Sequence, residues 1–136
     1  GDMMNKMIRL AASRNISDRF HFTGFMKGKQ VYEILKASDV YVMPSVSEPF
    51  GISPLEAMQC GVPSIISYQS GCAEILDYAV KVDYWDIDAM ADAIYALITY
   101  PEMHAFLKEE GLREVNSITW ENAGQKVRAI YDRYIR

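Results

Sequence analysis

The sequence predicts an α/β fold in which a Rossmann-like parallel sheet is flanked by helices. Two observations carry this. DVYVM at residues 39–43, PSIIS at 63–67 and VKV at 80–82 are short, largely apolar and β-branched, as strands covered on both faces are. The segments between and after them return apolar residues at helical spacing. Alternating strands and helices with short connections pack as a parallel sheet with helices on its faces.

The elements follow in order. Residues 3–15 place Met3, Met7, Leu10 and Ala11 on one helical face. Residues 19–23 (RFHFT) alternate and stop at Gly24, which predicts a short strand running into a turn. Residues 30–38 return to the helical period through Val31, Ile34 and Leu35, and Pro44 ends the strand at 39–43. A helix is predicted over 54–59 with Gly61 as its terminator. After the strand at 63–67 come a small-residue loop at 68–71, a brief helix over 72–77 and the strand at 80–82.

Three helices complete the chain. Asp86 caps the one over 87–99, and Pro101 occupies the first turn of the one over 101–115. The last starts at Glu121 behind the cap Thr119, with Ala123, Val127, Ile130, Tyr131 and Tyr134 as its inner face. Lys126, Arg128, Arg133 and Arg136 make it mildly basic, but Glu121 and Asp132 intervene, which reads as a solvated face.

Composition narrows the function classes. The chain has 136 residues, enough for one domain with a real core. Its net charge of −4 argues against nucleic acid as a partner, because phosphate neutralisation needs a basic face. Cys60 and Cys72 have no partners at metal-ligand spacing, and neither His21 nor His104 completes a site. No metal is therefore expected, and the cysteines read as free thiols in a reducing compartment. No apolar run reaches the length of a membrane span and no leader opens the chain, so a cytoplasmic protein is expected. A peripheral membrane contact stays open. The chain starts directly on a helix. Gly1-Asp2 reads as the tail of a turn whose strand lies upstream, or Gly1 as a cloning remnant, and a fragment is expected either way.

In a doubly wound sheet, ligands bind beyond the C-terminal ends of the strands. Three loops are expected to share that rim, at 24–29, 44–52 and 68–71. The middle one, inside SEPFGISPLEAMQCGVPSII, is the richest. Gly51 lets backbone approach a ligand closely, and the amides of Phe50, Gly51 and Ile52 precede a helix N-terminus that favours anions. Glu48 precedes Pro49 and is held extended in a strand-end loop, a position with no evident structural duty. Glu56 is different, because Ser53-Pro54-Leu55-Glu56 is also a capping box.

Glu48-Pro49-Phe50-Gly51-Ile52, Leu55-Glu56-Ala57-Met58 and Gly61-Val62-Pro63 resemble the signature of family 4 retaining glycosyltransferases of the GT-B fold. That signature is two glutamates separated by seven residues, with Phe-Gly after the first and Glu-Ala-Met at the second. Phe22-Thr23-Gly24, Ala37-Ser38-Asp39-Val40, Pro44-Ser45, Gly71, Glu74-Ile75 and Trp120 agree in order, so the resemblance covers nearly the whole chain. It implies the C-terminal, donor-binding domain of a two-domain enzyme. That enzyme transfers a hexose from a nucleotide-diphosphate sugar to a saccharide or lipid-linked acceptor, with no metal cofactor.

By position, the resemblance makes Glu48 the catalytic-site carboxylate that holds hydroxyls of the transferred sugar. Phe50, Gly51 and Ile52 contact the sugar and the diphosphate, with Gly71 beside the sugar. Glu56 accepts from the ribose hydroxyls, and Phe25 and Met26 lie near the nucleobase. Two departures accompany it. The family's pyrophosphate-binding Arg and Lys belong to an earlier strand-loop-helix segment with no match here, and Lys27 and Lys29 do not take their positions. The acceptor-binding N-terminal domain is also absent, so the isolated chain is expected to be inactive. A GT-B sugar-nucleotide epimerase and a non-catalytic nucleotide-sugar-binding module are the alternative functions, and Glu56 stays open between ribose contact and helix cap.

Overall fold

The structure, a computed structural model, describes residues 2–135. Gly1 and Arg136 lie outside the described residues, and with them the readings placed on those two positions. The elements are helix α1 (Met4–Ser13), helix α2 (Lys29–Lys36), strand β1 (Tyr41–Met43), helix α3 (Ser53–Gln59), strand β2 (Ser64–Ser67) and strand β3 (Val80–Val82). Helices α4 (Ile87–Thr99), α5 (Pro101–Ser117) and α6 (Trp120–Tyr134) follow.

The three strands form one parallel sheet in the order β1-β2-β3. Tyr41 pairs with Ser64 and Met43 with Ile66, while Ile65 pairs with Val80 and Ser67 with Val82. The central strand β2 is buried along its whole length. Because successive side chains of a strand point to opposite faces, Ile65 and Ile66 enter different cores. Ile66 packs with Met43, Met58 of α3, Leu76 and Val115 of α5. Ile65 packs with Val82 and Leu97 of α4. Both isoleucines are fully buried, and each contributes about 1.5–3 kcal/mol through area removed from water. A third cluster, Leu35, Ala57 and Val62, joins α2 to α3. The predicted α/β fold is the observed one.

Several termini follow their local signals. The Asp86 carboxylate accepts from the Ala89 amide at 2.9 Å, and the Thr119 hydroxyl accepts from Asn122 at 3.1 Å. Gly61, at φ +75°, ends α3. Its amide donates to Met58, and Val62 donates to Ala57 at 3.0 Å, the paired bonds of a Schellman ending.

Three expectations are corrected. Residues 19–23 form no strand. A 3-10 turn occupies Ser17–Arg19, and Phe20 and Phe22 stack on each other at 6.1 Å while exposed. Alternation is necessary for a strand but a neighbour must take its backbone hydrogen bonds, and no described strand lies alongside. The brief helix over 72–77 is a 3-10 segment, Gly71–Glu74, followed by an irregular stretch. The inner face assigned to α6 is not inner. Val127, Ile130, Tyr131 and Tyr134 are all more than half exposed. The helical period is a property of the chain itself, whereas burial needs an opposing surface.

Candidate functional site

The loops after β1 (44–52) and β2 (68–71) leave the same edge of a parallel sheet, so they emerge side by side. There they zip together. The amide of Glu48 reaches the carbonyl of Gln69 at 3.5 Å, Gly71 donates to the carbonyl of Glu48 at 2.9 Å, and Cys72 donates to Phe50 at 2.7 Å. Glu48 and Ser70 form a parallel bridge outside the named strands. Beneath them the hydroxyl of Ser67 donates to the carbonyl of Ser45 at 2.6 Å, and that of Ser70 to the carbonyl of Ser67 at 2.6 Å. These buried serines are satisfied, which leaves a rigid polar floor under the loops.

Two glycines permit this approach. A Cβ on Gly71 would stand 2.1 Å from the Pro49 carbonyl oxygen. Gly51 has φ +89°, and a Cβ there would meet Met43 Cε at 2.9 Å and Glu48 Cγ at 3.2 Å. The expectation that Gly51 serves close approach to a ligand is therefore modified. It is buried, and the missing side chain makes room for the protein's own packing.

Glu48 is half-buried, and its Oε1 accepts from the Phe50 amide at 3.4 Å. The long bond leaves most of the carboxylate's accepting capacity unused. Phe50 and Ile52 are exposed beside it. Among the described residues the amides of Ile52 and Ser53 find no acceptor, so the entry to α3 keeps free donors.

Glu56 sits in the first turn of α3 and is half-buried. The capping box does not form. The Ser53 hydroxyl instead accepts from the Tyr41 phenol at 2.8 Å and faces Met43 Sδ at 3.7 Å, and α3 has no side-chain cap. Ile52, in helical conformation, takes the cap position, so Ser53 lies one residue inside the helix and cannot cap it. No described hydrogen bond or ion pair engages the Glu56 carboxylate.

Phe25 and Met26 belong to the loop at 24–29. Phe25 is 87% exposed, with Lys27 Nζ 5.3 Å from its ring centroid, and it lines a groove with His21, Thr23 and Met7 of α1. No hydrogen bond among the described residues joins 24–29 to the other two loops. Within the expected rim, the hydrogen-bonded pairing is between 44–52 and 68–71.

Two ties that the sequence did not single out hold segments next to the rim. The Gln69 side chain donates to Asp83 Oδ1 at 2.8 Å and accepts from the Tyr84 amide at 3.3 Å. The Glu114 carboxylate of α5 accepts from the amides of Asp77 at 2.6 Å and Tyr78 at 3.1 Å. Fourteen and thirty-seven residues separate the partners, so no local pattern announces them.

The profile of the family described as "Glycosyl transferases group 1" matches residues 1–114. An uncharacterized glycosyltransferase of Methanocaldococcus jannaschii is 28% identical over 96% of this chain and 35% of its own length. The structure of sucrose-phosphate synthase from Thermosynechococcus elongatus superposes with a TM-score of 0.82 at 28% identity, over 98% of this chain and 35% of that one. Anabaena HepE in complex with UDP superposes with a TM-score of 0.84 at 18% identity, over 96% of this chain and 37% of that one, which shows a shared fold. The chain therefore spans about a third of the length of the relatives it matches. Its structural neighbours are GT-B glycosyltransferases, and the chain belongs to the glycosyl transferases group 1 family.

Proposed function

We propose that this chain is the C-terminal, donor-binding part of a retaining GT-B glycosyltransferase of the family 4 type, and that the whole enzyme moves a hexose from a nucleotide-diphosphate sugar to a saccharide or lipid-linked acceptor. The observation that carries the reading is the zipped rim. Glu48, with spare accepting capacity, and Gly71, on the neighbouring loop, meet through a 2.9 Å hydrogen bond at the C-terminal edge of the sheet. That edge is where open α/β sheets take ligands. The uncommitted Glu56 carboxylate, one turn into α3, supports a second, hydroxyl-rich contact.

In this reading the Glu48 carboxylate accepts from hydroxyls of the transferred sugar and holds its anomeric carbon over the departing diphosphate. Charge-assisted bonds of this kind are short and directional, so they orient as well as bind. The free amides of Ile52 and Ser53, at the entry to α3, donate to diphosphate oxygens, where negative charge accumulates as the glycosidic bond breaks. Glu56 accepts from the ribose diol, and Phe25 with Met26 flanks the base. The basic side chains that neutralise the diphosphate, and the acceptor site, belong to the remaining two thirds of the enzyme. The likeness to a protein crystallised with UDP supports a nucleoside-diphosphate donor.

A thermal-shift panel of nucleoside diphosphates and their sugars on the full-length protein tests this. One base is expected to stabilise the protein, more with its sugar attached. No stabilisation by any member, together with no transfer from any donor, would overturn the reading.

A further inference from the structure

We infer that Gln69 is a positioning residue for Glu48, setting the carboxylate's place from the far side of the sheet. The inference rests on the sugar-binding role proposed for Glu48. The loop that carries Glu48 is tied to β2 at Ser45, whose carbonyl accepts from the Ser67 hydroxyl at 2.6 Å, and within itself by the 3.4 Å bond from the Phe50 amide to Glu48 Oε1. Residues 44–52 contain no strand beyond the bridge to Ser70, and the backbone-to-backbone bonds of Glu48 and Phe50 to the rest of the fold go to residues 69–72. Movement of 69–72 is therefore passed to the backbone at Glu48.

Gln69 fixes that segment at both ends of its side chain. Nε2 donates to Asp83 Oδ1 at 2.8 Å and Oε1 accepts from the Tyr84 amide at 3.3 Å, while its backbone carbonyl faces the Glu48 amide at 3.5 Å. One residue earlier, Tyr68 donates to the carbonyl of Val82 at 2.9 Å. Residues 68–69 are thus pinned to 82–84, the end of β3, and the pin continues through the 69–72 zipper to Glu48. A free glutamine side chain samples many rotamers, and the double tie selects one and carries its loop with it. Glu56 lies on α3 and does not belong to this chain of contacts. Loosening Gln69 should accordingly misplace the sugar contact and leave nucleotide binding alone.

The test uses the full-length enzyme with Gln69→Ala, Asp83→Ala, the double variant, Asp83→Asn and Glu48→Gln. The readouts are kcat for transfer, Kd for the free nucleoside diphosphate and Tm. Each alanine variant is expected to lower kcat about tenfold, since small misplacements of a positioning contact carry losses of that order or more. The double variant should be no worse than the weaker single by more than about twofold, because both changes break one tie. Asp83→Asn keeps an oxygen for Gln69 and should retain at least roughly half of kcat. The nucleoside diphosphate Kd should stay within about twofold in all four variants of this tie, as none touches Glu56.

Wild-type kcat in Gln69→Ala, when Glu48→Gln has lost transfer, overturns the positioning role alone. Wild-type transfer in Glu48→Gln overturns the underlying reading of Glu48. Losses that multiply in the double variant, or nucleotide affinity falling as far as kcat, also overturn the positioning role. Should Gln69→Ala not fold, Asp83→Ala reads the same tie, and wild-type kcat there overturns it.

Discussion

The amide of Gly71 donates to the carbonyl of Glu48 at 2.9 Å, and this bond makes two loops from different strands into one rim. Glu48 reaches that rim from β1 and Gly71 from β2, so the parallel register of the sheet brings them level. The position of Glu48 thus depends on a residue with no side chain.

Gly71→Ala should break this rim. A Cβ 2.1 Å from the Pro49 carbonyl oxygen cannot be accommodated by a side-chain rotation, because the obstacle is backbone. We expect a stability loss of about 1–3 kcal/mol, the usual cost of overpacking, measured by urea denaturation of the full-length protein. Transfer activity should fall further than stability alone explains. A variant as stable and active as the parent would mean that 48–50 and 69–72 separate freely.

Glu48→Gln should lower transfer far more than it lowers affinity for the free nucleoside diphosphate. The substitution keeps the shape but loses the charge that strengthens bonds to hydroxyls, worth about 1.5–3 kcal/mol for a charged acceptor against less for a neutral one. Steady-state kinetics and calorimetric titration of the nucleotide separate the two. Equal losses in both would reassign Glu48 to the nucleotide.

Glu56→Ala should leave Tm close to the parent's and weaken nucleoside diphosphate binding about tenfold, the equivalent of one charge-assisted bond. The structural basis is the unformed capping box, since Ser53 is turned to Tyr41 and Glu56 supports no terminal amide. A large drop in Tm with unchanged nucleotide affinity would return Glu56 to a stabilising role.

Glu114→Ala should destabilise the protein by about 1–3 kcal/mol, because two backbone amides lose their acceptor at once. Those amides, of Asp77 and Tyr78, follow the Gly71–Glu74 turn and hold it against α5. Glu114→Gln, which retains one acceptor oxygen, should recover part of the loss. Denaturation curves of the two variants decide this.

Most of the architecture was legible in the chain because it rests on short-range signals. The apolar runs at 39–43, 63–67 and 80–82 became strands over 41–43, 64–67 and 80–82, Asp86 and Thr119 capped the starts of α4 and α6, and Gly61 ended α3. Each of these depends on residues within one or two turns of each other. The readings that failed were those needing a distant surface. Residues 19–23 alternate like a strand but meet no neighbouring strand, and α6 has an apolar stripe without a cover, both among the described residues. Ser53-Pro54-Leu55-Glu56 had a capping-box pattern, yet a phenol twelve residues away claimed the serine.

For the candidate site the division is similar. The sequence by itself determined that Glu48, Phe50, Gly51 and Ile52 sit in one loop ahead of a helix, and that Glu56 follows one turn later. Only the tertiary structure decided that Gly71 joins Glu48, that no described hydrogen bond ties Phe25 or Met26 to that pair, and that the Gln69 side chain bonds to Asp83 and Tyr84. The physical reason is that local propensity acts through neighbours in the chain. A rim is made by strands in parallel register, which brings together residues whose separation in sequence carries no signal.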